Sequence, residues 1–149
     1  MTKHKVYLAL GSNLGDKQAN MERAISLIDE RVGQVVHRSS FIETAPWGFE
    51  SEHTFLNGVV LCETRLSPRE VLETTQQIER ELGRRRKSVS ARRSAPRYHD
   101  RPIDIDILLY DSLTVDEPDL KIPHPLMHER DFVMRPLGEI RQLETNNDN

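Results

Sequence analysis

Arg101-Pro-Ile-Asp-Ile-Asp-Ile-Leu-Leu-Tyr110 reads as a β-strand with two carboxylates on one face. Side chains alternate along a strand, so Asp104 and Asp106 point one way while Ile103, Ile105 and Ile107 point the other. Two residues of strand rise set the carboxylates about 6–7 Å apart, a spacing that a pair of divalent cations can share. Burying an acid pair on an otherwise apolar strand is costly unless a metal or a basic partner neutralises it. The stretch therefore admits two readings, a cation site or the solvated acidic face of an edge strand. The segments on either side bear on the choice.

Immediately upstream, residues 84 to 101 hold eight basic side chains and one acid, a local balance of +7 in a chain of net charge −3, leaving −10 for the rest. An acidic body with one cationic segment is poorly suited to general nucleic-acid binding but suits a polyanion such as a nucleoside triphosphate. Hardly any apolar residue anchors the segment, which is expected to be a long mobile loop. Before it, Ser67-Pro-Arg-Glu70 carries the capping-box signature of a helix start. That helix is expected to reach Leu82, with Val71, Thr75, Ile78 and Leu82 as its apolar stripe, Gln76 and Glu79 as a neighbouring polar stripe, and Gly83 as terminator.

Further upstream, Thr54 to Glu63 alternates so that Phe55, Asn57, Val59 and Leu61 share a face. A flat ring beside an amide that both donates and accepts suits a planar heterocycle, and equally describes a core Phe next to a hydrogen-bonded Asn. Ala45-Pro-Trp-Gly-Phe-Glu50 is a loop presenting rings, either packed on the core or closing over a ligand. Gln34 to Thr44 reads as one strand near a sheet edge. It follows a helix capped by Asp16, ended by Gly33, and apolar at Met21, Ala24, Ile25 and Ile28. Lys5 to Leu10 is a continuous apolar run, hence a central strand, and Gly11 to Asp16 a tight turn. Neither a dinucleotide-binding glycine fingerprint nor a Gly-Lys-Ser/Thr phosphate loop occurs.

Downstream, Leu113 to Pro118 reads as a short connection and Leu126 to Arg130 as a short helix. Asp131 caps a further turn containing Phe132, Val133 and Met134, and residues 144 to 149 read as a disordered tail. Strand, helix, strand, strand, helix, strand with C-terminal additions is the order of a ferredoxin-like α+β sandwich, βαββαβ, with helices on one face and the other open. One domain over residues 1–143 accounts for it. With 36% hydrophobic and 30% charged residues, the composition is that of a soluble globular chain. The single Cys62 sits in a strand-like apolar run and reads as a small buried hydrophobe, in keeping with a reducing cytoplasm. The first apolar run ends at Leu10, too short for a signal peptide or a membrane span.

Tyr7-Leu-Ala-Leu-Gly-Ser-Asn-Leu-Gly15, Glu43-Thr-Ala-Pro-Trp-Gly48, Phe55-Leu-Asn57, Gln76-Gln-Ile-Glu79, Gly83-Arg84, Arg101 to Asp106, Ile122-Pro-His-Pro-Leu126 and Arg130-Asp-Phe132 follow one another along nearly the whole chain. Together, in this order, they resemble the 6-hydroxymethyl-7,8-dihydropterin pyrophosphokinases of folate biosynthesis. The resemblance implies that Asp104 and Asp106 hold two Mg²⁺ ions gripping the triphosphate of ATP. Arg84 and Arg101 would complete the catalytic set, while Gln76, Glu79, Arg86, His124 and Arg130 line the nucleotide. The pterin would lie between Phe55 and Phe132, read by Asn57 and the backbone near Thr44, with Trp47 closing over it. The implied reaction moves a diphosphate from ATP to the pterin hydroxymethyl group and releases AMP. Its implied partners are those two small molecules alone, with no nucleic acid or membrane, in a cytoplasmic monomer.

The residues alone leave His124 open as a helix cap, and Gln76 with Glu79 as a solvated stripe. They offer no clear general base. Two rivals remain: a two-metal nucleotidyltransferase or nuclease, which usually needs a broad basic surface, and a ferredoxin-like RNA-binding module, which has no use for paired aspartates.

Overall fold

The structure, a computed structural model, describes residues 3–44, 54–83 and 102–147. Four strands form its central antiparallel sheet in the order β2 (Gly33–Arg38), β4 (Phe55–Thr64), β1 (His4–Ser12), β5 (Asp104–Tyr110), and β3 (Ile42–Thr44) also pairs with β4. This is the strand order of the expected ferredoxin-like fold. Helices α1 (Lys17–Arg31) and α2 (Pro68–Gly83) cover one face. Met21, Ala24, Ile25 and Ile28 of α1 and Val71 and Ile78 of α2 pack there on Val6, Leu8, Val60, Cys62, Ile105 and Ile107.

Local chemistry explains both helix starts. Asp16 accepts the Ala19 N–H at 3.1 Å, and Gly15 supplies the left-handed φ of +71° that the preceding turn needs. At α2 the Ser67 hydroxyl accepts the Glu70 N–H at 3.2 Å while the Glu70 carboxylate accepts the Ser67 N–H at 2.9 Å, closing the expected capping box.

Three expectations are corrected. Residues 34 to 44 form two strands, because one extra residue intervenes between Arg38, opposite Val60, and Ile42, opposite Asn57. Ser39 fills the break. Its N–H donates to the Val59 carbonyl and its hydroxyl accepts the Val59 N–H, each at 2.9 Å. Next, the connection after Tyr110 contains a hairpin, β6 (Val115–Glu117) and β7 (Leu120–Ile122), whose Leu120 and Ile122 enter the first core. Arg69 of α2 ties it down through Asp119 at 2.8 Å and through Glu117.

Finally, the second face of the sheet is not open. After a 3-10 turn at Met127–Glu129, α3 (Asp131–Asn147) continues well past a single turn, through Pro136 and into the segment read as a tail. Val133, Leu137 and Ile140, at helical spacing, pack with Met127 on Tyr7, Val59, Leu61 and Leu108. Burial of that stripe outweighs the hydrogen bond that Pro136 cannot donate. None of the described helices is long and apolar enough to cross a membrane.

Candidate active site

Beyond the apolar rows under α3, the second face changes character. Asn57 of β4 pairs with Gly11 of β1, and Gly11 with Asp104 of β5; in the next row stand Val59, Ala9 and Asp106. Strand parity puts all these side chains on the face that carries Tyr7, Val59 and Leu61. Asp104 and Asp106 are half-buried there, and Ile103, Ile105 and Ile107 turn into the opposite core, as the alternation requires. The β1 neighbours of the two carboxylates are a glycine and an alanine, so no bulky side chain crowds them from that side.

Phe55 and Asn57, two residues apart on β4, both lean over Gly11 of β1. A Cβ on Gly11 would stand 3.1 Å from Asn57 Oδ1 and 3.4 Å from Phe55 Cδ1, so only glycine lets amide and ring lean over this strand undisturbed. Asn57 is 5% exposed, and its Nδ2 donates to the Thr44 hydroxyl at 2.7 Å. Thr44 thus fixes the amide with Oδ1 turned towards Gly11. The sequence marks Gly11 only as a turn residue, whereas the structure makes it a strand residue inside the site. Parity with Tyr7 and Ala9 was the signal that could have found it.

The residues expected at the nucleotide do not all gather on the aspartate face. Helix α2 lies against the first face, and its Gln76 is exposed. Glu79 reaches the outer edge of β5, where Oε2 accepts the Ile105 N–H at 2.7 Å, directly between the two aspartates in sequence. The same edge receives the His124 N–H, which donates to the Leu108 carbonyl at 3.0 Å. His124 Nδ1 accepts the Leu126 N–H at 3.2 Å, which puts the proton of a neutral ring on Nε2. His124 thus braces the turn that leads into the 3-10 helix, which itself starts from Leu126 without a side-chain cap, so the reading of His124 as a helix cap is not borne out.

Arg130 is 7% exposed, with its guanidinium carbon 5.6 Å from the centre of the Phe132 ring. Phe132 in turn packs against the core beneath α3, on the same face as Phe55 and Asn57. Trp47, Arg84, Arg86 and Arg101 lie outside the described residues. Among the described residues no group of three His, Cys, Asp or Glu side chains is arranged to hold a metal ion.

Known proteins sharpen this picture. A profile of the 7,8-dihydro-6-hydroxymethylpterin-pyrophosphokinase family matches residues 7–142. The 2-amino-4-hydroxy-6-hydroxymethyldihydropteridine pyrophosphokinase of Porphyromonas gingivalis is 51% identical over 136 residues, 91% of this chain and 89% of that one. Its counterpart in Bacillus subtilis is 43% identical over 137 residues, 91% of this chain and 77% of that one. In solved structures the fold recurs in an HPPK-DHPS protein crystallised with substrates, at a TM-score of 0.58 and 17% identity. That match covers 77% of this chain and 29% of the longer one. With a family profile spanning most of its length and relatives this similar, the chain belongs to the 7,8-dihydro-6-hydroxymethylpterin-pyrophosphokinase family.

Proposed function

We propose that Asp104 and Asp106 anchor metal-bound ATP while Asn57, Thr44 and Phe55 hold the pterin, for the family's transfer of diphosphate from ATP to 6-hydroxymethyl-7,8-dihydropterin. One observation carries the reading: Asn57 and Asp104 share one cross-strand row on one face of the sheet, joined through Gly11, with Phe55 and Asp106 each two residues away along the same strands. Two strand spacings, about 10 Å, separate the rails of Asn57 and Asp104, so a heterocycle seated on one directs its side arm towards phosphates held at the other.

In the reaction the hydroxymethyl oxygen bonds to the β-phosphorus, the bond from that phosphorus to the α,β-bridging oxygen breaks, and AMP departs with that oxygen. Little covalent help is needed; positioning and charge neutralisation do most of the catalysis. Phe55 supplies a stacking surface, and Asn57, locked by Thr44, supplies a fixed amide for the edge of the heterocycle. Phe132 takes the other side of the ring, with Arg130 against it. Glu79 holds the strand between the aspartates by its backbone. Two carboxylates with uncrowded neighbours, offering only oxygen donors, fit magnesium. When bound, the two ions would neutralise the triphosphate and lower the pKa of the attacking hydroxyl. Arg84 and Arg101 at the phosphates, Gln76, Arg86 and His124 on the nucleotide side, and Trp47 over the pterin complete the proposed site. The protein acts as a cytoplasmic monomer on these two small molecules.

Asp104→Asn and Asp106→Asn test the assignment. Each is expected to cut turnover about 10²–10³-fold, as loss of one electrostatic group from a preorganised site does, while thermal unfolding stays near the parent's. Activity retained in either variant would refute the role of the pair.

A further inference from the structure

The first residue of α1 is a lysine that helix stability does not explain. Lys17 stands at the electropositive start of the helix, next to the Asp16 cap, where a cation is disfavoured. Its ammonium turns away to the sheet. There Nζ donates to Glu43 Oε2 at 2.7 Å, to Thr54 Oγ1 at 3.1 Å and to the Thr54 carbonyl at 3.3 Å. The Thr54 hydroxyl also donates to Glu43 Oε2 at 3.4 Å, which closes the triangle. The lysine side chain is 26% exposed, and its hydrogen bond holds the Glu43 carboxyl below the usual range.

What this triangle grips matters more than its strength. Glu43 precedes Thr44 and Thr54 precedes Phe55, and Thr44 pairs with Phe55 at the end of the three-residue ladder between β3 and β4. β3 is short and follows the break at Ser39, so its own pairing defines its last residue weakly. An ion pair this exposed adds little to global stability, yet placed across the two stems it fixes their separation. From there the constraint passes through the one hydrogen bond that the Asn57 amide donates to the Thr44 hydroxyl.

We propose that Lys17 is a positioning residue for the pterin, clamping Glu43 and Thr54 so that the ring of Phe55 and the amide of Asn57 are held in register for the substrate. The inference rests on the assignment of Thr44, Phe55 and Asn57 to the pterin.

Steady-state kinetics and NMR of Lys17→Met, Lys17→Arg and Glu43→Gln test it. Lys17→Met is expected to raise KM for the pterin about three- to five-fold, the scale of one surface ion pair, with KM for ATP and the melting temperature unchanged. Lys17→Arg restores the parent value. Glu43→Gln repeats the effect, and the double variant Lys17→Met/Glu43→Gln is no worse than either single one. An unchanged pterin KM in Lys17→Met, or both KM values rising together with a fall in melting temperature, would overturn the clamp. The side-chain amide signal of Asn57 in substrate-free protein reads the clamp without turnover and shifts in Lys17→Met but not in Lys17→Arg. A parent protein inactive towards pterin would defeat the functional reading with that shift intact; active parent protein with no shift would defeat the clamp alone.

Discussion

Adding one methyl group at Gly11 tests how closely the two halves of the site are fitted. The Cβ of Gly11→Ala would press on the Asn57 oxygen at 3.1 Å, which must give way by a few tenths of an ångström, and would come into van der Waals contact with the Phe55 ring at 3.4 Å. The expected result is a pterin KM raised about ten-fold, with ATP affinity nearly unchanged and stability lowered by about 1–2 kcal/mol. Kinetics with each substrate varied in turn would show it, and an unchanged pterin KM would mean that amide and ring do not contact the substrate. At this scale much of the candidate site's geometry was legible. Period-two alternation places Asp104 with Asp106 and Phe55 with Asn57 from the letters alone. Cys62, read as a buried hydrophobe, is fully buried, and burial, aided by Asp29, pushes its thiol up to about 12. The bond from the Ile105 N–H to Glu79 was not legible, since α2 and β5 are distant in sequence and only tertiary packing brings them together.

Among the elements, those with local chemical punctuation were readable and those without it were not. Asp16 and the Ser67–Glu70 box announce α1 and α2 because each cap is made within a few residues. The split of 34–44 into β2 and β3 has no such signal, because it depends on a serine meeting a backbone group twenty residues away. Ser39→Ala is expected to destabilise the fold by about 1–3 kcal/mol by leaving the buried Val59 N–H without its acceptor. A urea titration measures this, and an unchanged midpoint would show that the strand break does not need the hydroxyl. Pro136 and Gly138 hid α3, although Val133, Leu137 and Ile140 already carried the helical period. Hairpin β6–β7 left only the alternation of Leu120, Lys121 and Ile122, too short to read with confidence against the charged residues around it.

Over the whole molecule, strand order and fold class followed from the succession of elements, while the layer count did not, because α3 turns a two-layer sandwich into three layers. Surface ion pairs brace that assembly: Arg38 with Glu22, Lys17 with Glu43, Arg31 with Glu81, Lys121 with Asp116 and Arg69 with Asp119. In each pair the basic partner's hydrogen bond holds the carboxyl below its ordinary value. A folded-state pKa below the unfolded one means stabilisation that is complete above the unfolded value, near 4, and lost as pH falls through the folded value. The urea midpoint is therefore expected to hold between pH 7 and about 5 and to drop modestly below about 4; a midpoint constant to pH 3 would contradict this.

The central claim concerns the bond that breaks, and the nucleotide product reports it directly. Purified protein incubated with Mg²⁺, ATP and 6-hydroxymethyl-7,8-dihydropterin is expected to form AMP in proportion to the pterin consumed, as seen by chromatography. ADP in place of AMP, or AMP formed without pterin, would contradict the account.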